Sequence, residues 1–304
     1  MSGNTDTVHG TSDKSAKPSK TAVAQMGTLT LLTRSDGSVP TGWSQGKFGP
    51  GEKNSRLGVD SVEGKPRTIQ SSGCGLCSLV VYFGAARLCV PSLDRSNNVF
   101  MMANGVGEPI TPGLFNRFLM DCIEQEAESK KHRQELIHKV YAPDGCGALL
   151  YRSSKIVEYI DTLITHNCAE KPFRFCERID AYAPPGKDIP QLTAHLDTGE
   201  PAIIGVAFSP SGPPAHQVLC VGYGRVGDKV YYPIVDSGFG PVDMDPLAKL
   251  SNPVSAKDIR AYSACEFRHK AYHKIVWVMP LSGLASITGL LARTDWNGAG
   301  SGAS

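Results

Sequence analysis

A cysteine at the border between a polar run and an apolar run is the residue of this chain best placed for nucleophilic chemistry. Residues 70–84 read Q-S-S-G-C-G-L-C-S-L-V-V-Y-F-G, with apolar side chains at helical spacing after Cys74. We expect Ser72 to cap a mostly buried helix that begins at Cys74. A helix N-terminus stabilises a thiolate relative to a thiol, and its free N–H groups can donate to an oxyanion. Because most cysteines are only small buried hydrophobes, the case for chemistry depends on partners elsewhere in the chain.

A histidine and an aspartate on consecutive strand-like segments are the candidate partners. His216 begins one segment after a Pro-rich turn, and Asp236 ends the next, at V-D-S-G. If the two segments form a hairpin, both side chains lie near the same end of a sheet. The imidazole can then take the thiol proton, and the carboxylate can fix the imidazole tautomer. Each residue alone is weak evidence, but the ordered set predicts a sulfur–imidazole–carboxylate triad.

Other groupings of cysteine and histidine fit chemistry less well. Cys146 also lies between two glycines, but the run after it is less apolar, so we expect a structural role. The C-x-x-C at 74–77 is half of a zinc knuckle, with no second half at the usual spacing. His269 and His273 have only Cys265 nearby, which we interpret as coincidence. The sequence therefore predicts no metal and no cofactor.

Length and composition allow a sizeable core and give no sign of a nucleic-acid or membrane partner. The 304 residues are 41% hydrophobic, which is enough for a sizeable core. The net charge of +2 provides no electrostatic field that would attract nucleic acid or a membrane. No apolar run of about 18 residues occurs, and we expect no secretory signal peptide, because the N-terminal segment lacks an apolar core. The nine cysteines favour reduced thiols over a disulfide framework. We expect a soluble chain.

Composition and periodicity predict one α+β domain between two tails. Residues 1–25 are rich in Ser, Thr, Lys and Gly and predict a disordered tail, and 294–304 predict a flexible one. The domain is expected over 26–293, with a helical part at about 70–170 and a sheet part at about 172–280.

The elements within this domain follow from apolar spacing and turn residues. A first strand is predicted at 26–33, followed by an irregular segment at 34–69. Thr111 and Pro112 are typical of a helix start. Helices are predicted at 74–84, 113–140, 153–164 and 189–196. The apolar segments after about 200 are expected to form an antiparallel meander.

These motifs resemble those of the papain-like cysteine peptidases. They are Q-x3-C-G-x-x-x-L, G-E-P-A-I-I-G-V, A-H-Q-V-L-C-V-G-Y-G and Y-Y-P-I-V-D-S-G. The set is most similar to the branch containing the bacteriocin-leader peptidases of transporters. That branch typically carries a glutamine before D-C-G-x-A-x-L, then G-x-P-V-I-V, a histidine strand and D-P. The resemblance covers roughly residues 66–242, with a poorly matched middle.

The resemblance implies a papain-like fold, in which a helical part with the nucleophile packs on an antiparallel sheet. The implied roles are nucleophile for Cys74, base for His216, orienting acid for Asp236 and oxyanion-hole donor for Gln70. The family glutamine usually lies six residues before the cysteine, whereas Gln70 lies four before, and Ser237 stands where the branch has proline. The C-G-L-C at 74–77 also resembles the C-G-S-C of papain, in which the second cysteine reacts, so Cys77 is the alternative nucleophile.

The function implied by the resemblance is hydrolysis of a peptide or isopeptide bond in a protein or peptide through a thioester. The same triad serves glutamine deamidases and transglutaminases, as in bacterial effectors of this fold that act on host proteins, and an inactive papain-like binding module is a third interpretation. The polar N-terminus fits delivery by a specialised secretion machine and a cytoplasmic protein equally well. We expect the segments 91–112 and 237–262 to select the substrate.

Overall fold

A computed structural model of the chain has an α+β architecture with antiparallel sheets. It describes residues 27–34, 45, 56–60, 65–102, 107–142, 149–151, 153–167, 173–238, 254–264, 272–283 and 292–296. The helices in this part of the chain are α1 (Ile69–Ser72), α2 (Cys74–Ala85), α3 (Pro112–Glu126), α4 (Lys130–Val140), α5 (Ser154–Asn167), α6 (Pro190–Leu196) and α7 (Ala256–Ala261). None of these described helices is long and apolar enough to cross a membrane.

Sixteen strands occur in the same described ranges. They are β1 (Thr28–Thr33), β2 (Arg56–Asp60), β3 (Pro66–Thr68), β4 (Cys89–Val90), β5 (Ser92–Asp94), β6 (Val99–Met101), β7 (Glu108–Pro109), β8 (Arg174–Phe175), β9 (Ile179–Ala183), β10 (Ala202–Ala207), β11 (His216–Cys220), β12 (Gly222–Val226), β13 (Lys229–Tyr231), β14 (Ile234–Val235), β15 (Lys274–Ser282) and β16 (Ala292–Trp296). The larger sheet has the order β14-β11-β10-β15-β8, with β9 also paired to β15, and a second sheet has the order β13-β12-β1-β16.

The expected meander is wrong, because the chain changes sheets at Val221. Its N–H donates to the carbonyl of Pro233, and its carbonyl accepts from the N–H of Leu32, so one residue joins both sheets. The segment before it, β11, pairs with β10, and the segment after it, β12, pairs with β1. Pro233, which has no N–H to donate, separates β13 from β14. The β12–β13 hairpin is therefore inserted between the two strands that hold the predicted base and acid.

Helix α2 lies in the core against β11, and its burial explains its unbroken apolar sequence. Every residue of α2 except Gly84 is buried. The prediction that this helix begins at Cys74 is confirmed, but the predicted Ser72 cap is wrong. The N-cap is Gly73, because the preceding residues form the short helix α1, which Thr68 caps.

The other predicted helices are confirmed in place, with one break and shifted ends. Thr111 caps α3, as predicted. The segment predicted as one helix at 113–140 is two, since Ala127 is extended and Ser129 caps α4 anew.

The first strand is also confirmed, whereas the predicted start of the C-terminal tail is wrong. The described strand β1 falls within the predicted 26–33 segment. Residues 294–296 belong to β16, which pairs with β1. The predicted tail at 1–25 and the remainder of the predicted 294–304 tail, residues 297–304, lie outside the described residues, as do Cys146, Cys265 and His269.

Candidate active site

The pairing of β11 with β14 brings His216 and Asp236 together. The antiparallel register places Leu219 opposite Val235, so Asp236, just beyond β14, falls opposite Val218 and on the face that carries His216. The imidazole Nε2 of His216 lies 2.7 Å from Oδ1 of Asp236. The two predicted side chains thus meet although a hairpin of another sheet separates them along the chain.

Asp236 is a buried carboxylate held from three sides. Only 2% of the residue is exposed. Its Oδ1 also accepts the backbone N–H of Gly238 at 2.7 Å, and its Oδ2 accepts the hydroxyl of Tyr272. Burial, and then the charge of Asp236, raise the pKa of the Tyr272 hydroxyl far above its ordinary value, so it remains a donor. The carboxylate is therefore fixed in the orientation that meets the imidazole.

Gly238 lies where the backbone closely approaches this pair. A Cβ at position 238 would lie 3.1 Å from Oδ1 of Asp236 and 3.2 Å from Nε2 of His216. Contacts this short would force the carboxylate or the ring to shift. The D-S-G sequence, which resembles an ordinary turn, here leaves room for a hydrogen bond between side chains.

Cys74 interacts with the same imidazole from the other side. Burial lowers the pKa of His216, but hydrogen bonding with Asp236 and Cys74 and the charges of both outweigh it and raise the pKa to about 10. Because Nε2 faces Asp236, the ring nitrogen left for the sulfur is Nδ1. The imidazole therefore bridges the sulfur and the carboxylate and is stabilised in its protonated form.

Aromatic rings fix the plane of the imidazole. Tyr272 stacks on the His216 ring with 6.2 Å between centroids, and Phe208 lies nearly parallel to it at 6.4 Å. Phe208 is 44% exposed, which places an apolar ring at the solvent edge of the site. Ring rotation away from the sulfur would disrupt both contacts.

The nucleophile helix and the histidine strand are joined by a buried hydroxyl. Ser78, on α2, donates to the carbonyl of Cys74 at 2.9 Å and lies 3.4 Å from the carbonyl of Gln217 on β11. This contact ties the first turn of α2 to the residue next to His216. This contact could not be predicted from the sequence, because a serine inside an apolar run has no fixed role.

The two candidate sulfurs differ in their surroundings. Cys74 is the first residue of α2 and interacts with His216, whereas Cys77 lies one turn further and is fully buried, with 0% exposed. Neither cysteine forms a disulfide in the described structure. The geometry therefore favours Cys74 over the alternative Cys77.

Gln70 lies on α1, and its side chain is exposed. Its backbone carbonyl accepts the side-chain amide of Gln45 at 2.9 Å. The N–H of Gln45 in turn donates to the carbonyl of Ser237, 2.7 Å away and next to Asp236. Gln45, which sequence reasoning missed, thus links the segment before the nucleophile to the segment after the acid. The oxyanion role of Gln70 remains a prediction.

An apolar cleft with a volume of about 290 Å³ opens beside His216. Its walls are Ala142, Leu149, Leu150, Tyr151, Arg178, Pro214, His216, Gln217, Trp277 and Met279. The guanidinium of Arg178 lies over the Trp277 ring and forms an ion pair with Asp180 at 2.9 Å. These walls come from segments other than the predicted 91–112, whose Arg95 and Glu108 line a separate recess.

Comparisons of the chain with protein-family models, with curated proteins and with solved structures gave no match.

Proposed function

We propose that this protein is a cysteine hydrolase of papain-like fold that cleaves an amide bond in a protein or peptide substrate. The observation that carries the proposal is the imidazole of His216 held between the sulfur of Cys74 and the carboxylate of Asp236. A nucleophile, a base and a group that orients the base are the parts that acyl transfer through a thioester requires.

The first half of the reaction would acylate Cys74. The sulfur attacks the carbonyl carbon of the substrate while the proton resides on His216, which Asp236 stabilises as an imidazolium. As the tetrahedral intermediate collapses, the imidazolium gives its proton to the leaving amine, and a thioester remains. The raised pKa of His216 supports this role, because the ring must carry a proton when the amine departs.

The second half would hydrolyse the thioester. The neutral imidazole takes a proton from water, the hydroxide attacks the thioester carbonyl, and the Cys74 thiolate leaves. The first N–H groups of α2 are available to the oxyanion in both halves, since Gly73 provides no side-chain cap within the described residues. Ser78 supports this arrangement by holding the first turn of α2 to β11.

The cleft beside His216 suggests the kind of side chain that the substrate presents there. Leu149, Tyr151, Trp277 and Met279 supply apolar walls, and the charge of Arg178 is already paired with Asp180. We therefore expect a bulky apolar side chain next to the scissile bond, because such a group gains most from burial in this cleft.

The test is incubation of the chain with a proteome-derived peptide library, followed by mass spectrometry of new termini. The expected result is cleavage next to bulky apolar residues, abolished in Cys74→Ala and retained in Cys89→Ala, a half-buried cysteine outside the site. Glutamine-to-glutamate conversion, about 1 Da per site, without new termini would replace hydrolysis with the deamidase alternative. No covalent change in any peptide would favour the binding-module alternative.

A further inference from the structure

One buried nucleophilic group near the site has no role in the hydrolytic mechanism. Cys77 completes the C-G-L-C sequence that opens α2 and lies one turn beyond Cys74. Residues three apart in a helix have Cα atoms about 5 Å apart, within the separation of about 4.4–6.8 Å that disulfides span. Three residues also rotate the chain by nearly a full turn, so both side chains project from roughly the same face of α2.

A common neighbour places both sulfurs in the same part of the interior. The hydroxyl of Tyr151 is buried, which raises its pKa well above the ordinary value, and Cys74 and Cys77 both raise it further. The N–H of Cys77 donates to the carbonyl of Gly73 at 2.8 Å, a bond that a cross-link between the side chains would leave in place. The exposed fractions differ, 4% for Cys74 and 0% for Cys77, so an oxidant entering the site meets Cys74 first.

We propose that Cys74 and Cys77 form a dithiol–disulfide pair that a hydroperoxide oxidises, which reversibly switches off the hydrolase. The regulatory part rests on the proposed function, whereas the oxidation itself needs only the two thiols. The chemistry differs from hydrolysis, since the sulfur of Cys74 attacks an oxygen atom rather than a carbonyl carbon.

The oxidation proceeds in two steps. The Cys74 thiolate attacks one oxygen of the hydroperoxide, an S–O bond forms, the O–O bond breaks, and the departing oxygen takes a proton and leaves as an alcohol or water. The Cys77 thiol then attacks the sulfenic sulfur, an S–S bond forms, the S–O bond breaks, and water leaves. Two electrons pass from the thiols to the peroxide, and an external dithiol can return them. The disulfide protects Cys74 from irreversible oxidation to sulfinic acid.

The test treats the full chain with hydrogen peroxide, alkylates the remaining thiols and maps tryptic peptides by mass. The peptide Thr68–Arg87 contains Cys74 and Cys77 and no other cysteine. We expect it to be about 2 Da lighter than the dithiol form and free of alkyl groups, with full recovery after dithiothreitol. Alkylation of both cysteines, or pairing of Cys74 with another cysteine, would overturn the proposal.

Variants locate the resolving thiol. In Cys77→Ser we expect the sulfenic acid of Cys74 to be trapped by dimedone, and longer exposure to add about 32 Da that dithiothreitol does not remove. Cys89→Ser, the matched control, should form the disulfide as the wild type does. If Cys77→Ser does not fold, Cys77→Ala provides the same readout, and a disulfide between Cys74 and any other cysteine in either variant would contradict the assignment.

The oxidation and hydrolysis readouts separate the two proposals. A chain that forms the disulfide but cleaves no amide would retain the dithiol pair and lose the proposed function. A chain that cleaves amides but never joins Cys74 to Cys77 would retain the proposed function and overturn the dithiol pair. If both hold, the disulfide should lower hydrolysis at least about tenfold, with recovery on reduction.

Discussion

Two buried carboxylates of this protein are held by similar contacts, but only one faces a histidine that contacts a sulfur. Glu200 accepts the hydroxyl of Tyr82 and the backbone N–H of Gly283, at 2.9 Å for the latter. Asp236 likewise accepts a tyrosine hydroxyl and a glycine N–H, but it also accepts the imidazole of His216. Contacts of this kind offset the cost of burying a carboxylate, and the added imidazole turns the same arrangement into a candidate acid–base site.

The histidines near these two carboxylates have pKa values shifted in opposite directions. The Nε2 of His195 lies 3.0 Å from the carbonyl of Pro201, and burial lowers its pKa despite the charge of Glu200. The pKa of His216 is raised, because it bonds directly to Asp236 and interacts with Cys74. A nearby carboxylate is thus not enough to raise the pKa of a histidine. Direct contact between the two groups decides which protonation state of the imidazole is stabilised.

The largest expected effect comes from removing the charge of each carboxylate in turn. Asp236→Asn should lower peptide hydrolysis about 10²–10⁴-fold, because the imidazolium loses its stabilising partner. Glu200→Gln should leave hydrolysis within about threefold, since Glu200 contacts none of the reacting groups in the described site. Steady-state rates on a peptide identified from the library measure both. Equal losses of hydrolysis in Asp236→Asn and Glu200→Gln would contradict the different roles assigned to the two carboxylates.

The two tyrosines should separate activity from stability. Tyr82→Phe and Tyr272→Phe each take a donor from a buried carboxylate, so each should reduce the free energy of unfolding by about 1–3 kcal/mol in urea titrations. Only Tyr272→Phe should also slow hydrolysis, by about tenfold, because the freed carboxylate no longer holds the ring in place. An unaffected rate in Tyr272→Phe would assign that residue to stability alone.

Gly238→Ala tests the space around the pair without removing a polar group. The new methyl group would crowd both Oδ1 of Asp236 and Nε2 of His216, so we expect hydrolysis to fall several-fold. The alanine should also shift the ring resonances of His216 while those of His195 stay in place. Gly227→Ala provides a reference for glycine substitution, because a Cβ there meets nothing within 4 Å, although its positive φ of 60° adds strain.

The histidines should titrate in opposite directions from the unfolded value of about 6.5. Because the folded pKa of His216 is raised, its contribution to stability is fully present below the unfolded pKa and is lost as the pH rises through about 10. His195 has a lowered folded pKa, so its contribution is present above the unfolded pKa and is lost as the pH falls through the folded value. NMR titration of the ring protons measures both. Titration of the two rings together near the unfolded value would contradict the comparison.

The sequence predicted the components of the site better than the way they are assembled. Cys74 could be placed at the start of a helix because the apolar spacing after it is regular, and His216 and Asp236 stood out at strand ends. The sheet change at Val221 could not be predicted, since the pairing of β12 with β1 joins residues nearly 200 positions apart. Tyr272, Ser78 and Gln45 were missed for a similar reason: each is a common polar residue whose role exists only through a distant partner.

Competitive alkylation of the thiols tests the central claim most directly. The chain is treated at neutral pH with less iodoacetamide than total thiol, and the modified cysteines are quantified in the wild type and in His216→Ala. Exposure alone predicts that the half-buried Cys89 and Cys176 react before Cys74, which is 4% exposed. Activation by His216 predicts that Cys74 reacts at least about tenfold faster than either and loses this advantage in His216→Ala. Faster reaction of Cys89 or Cys176, with a Cys74 rate that does not depend on His216, would contradict the account.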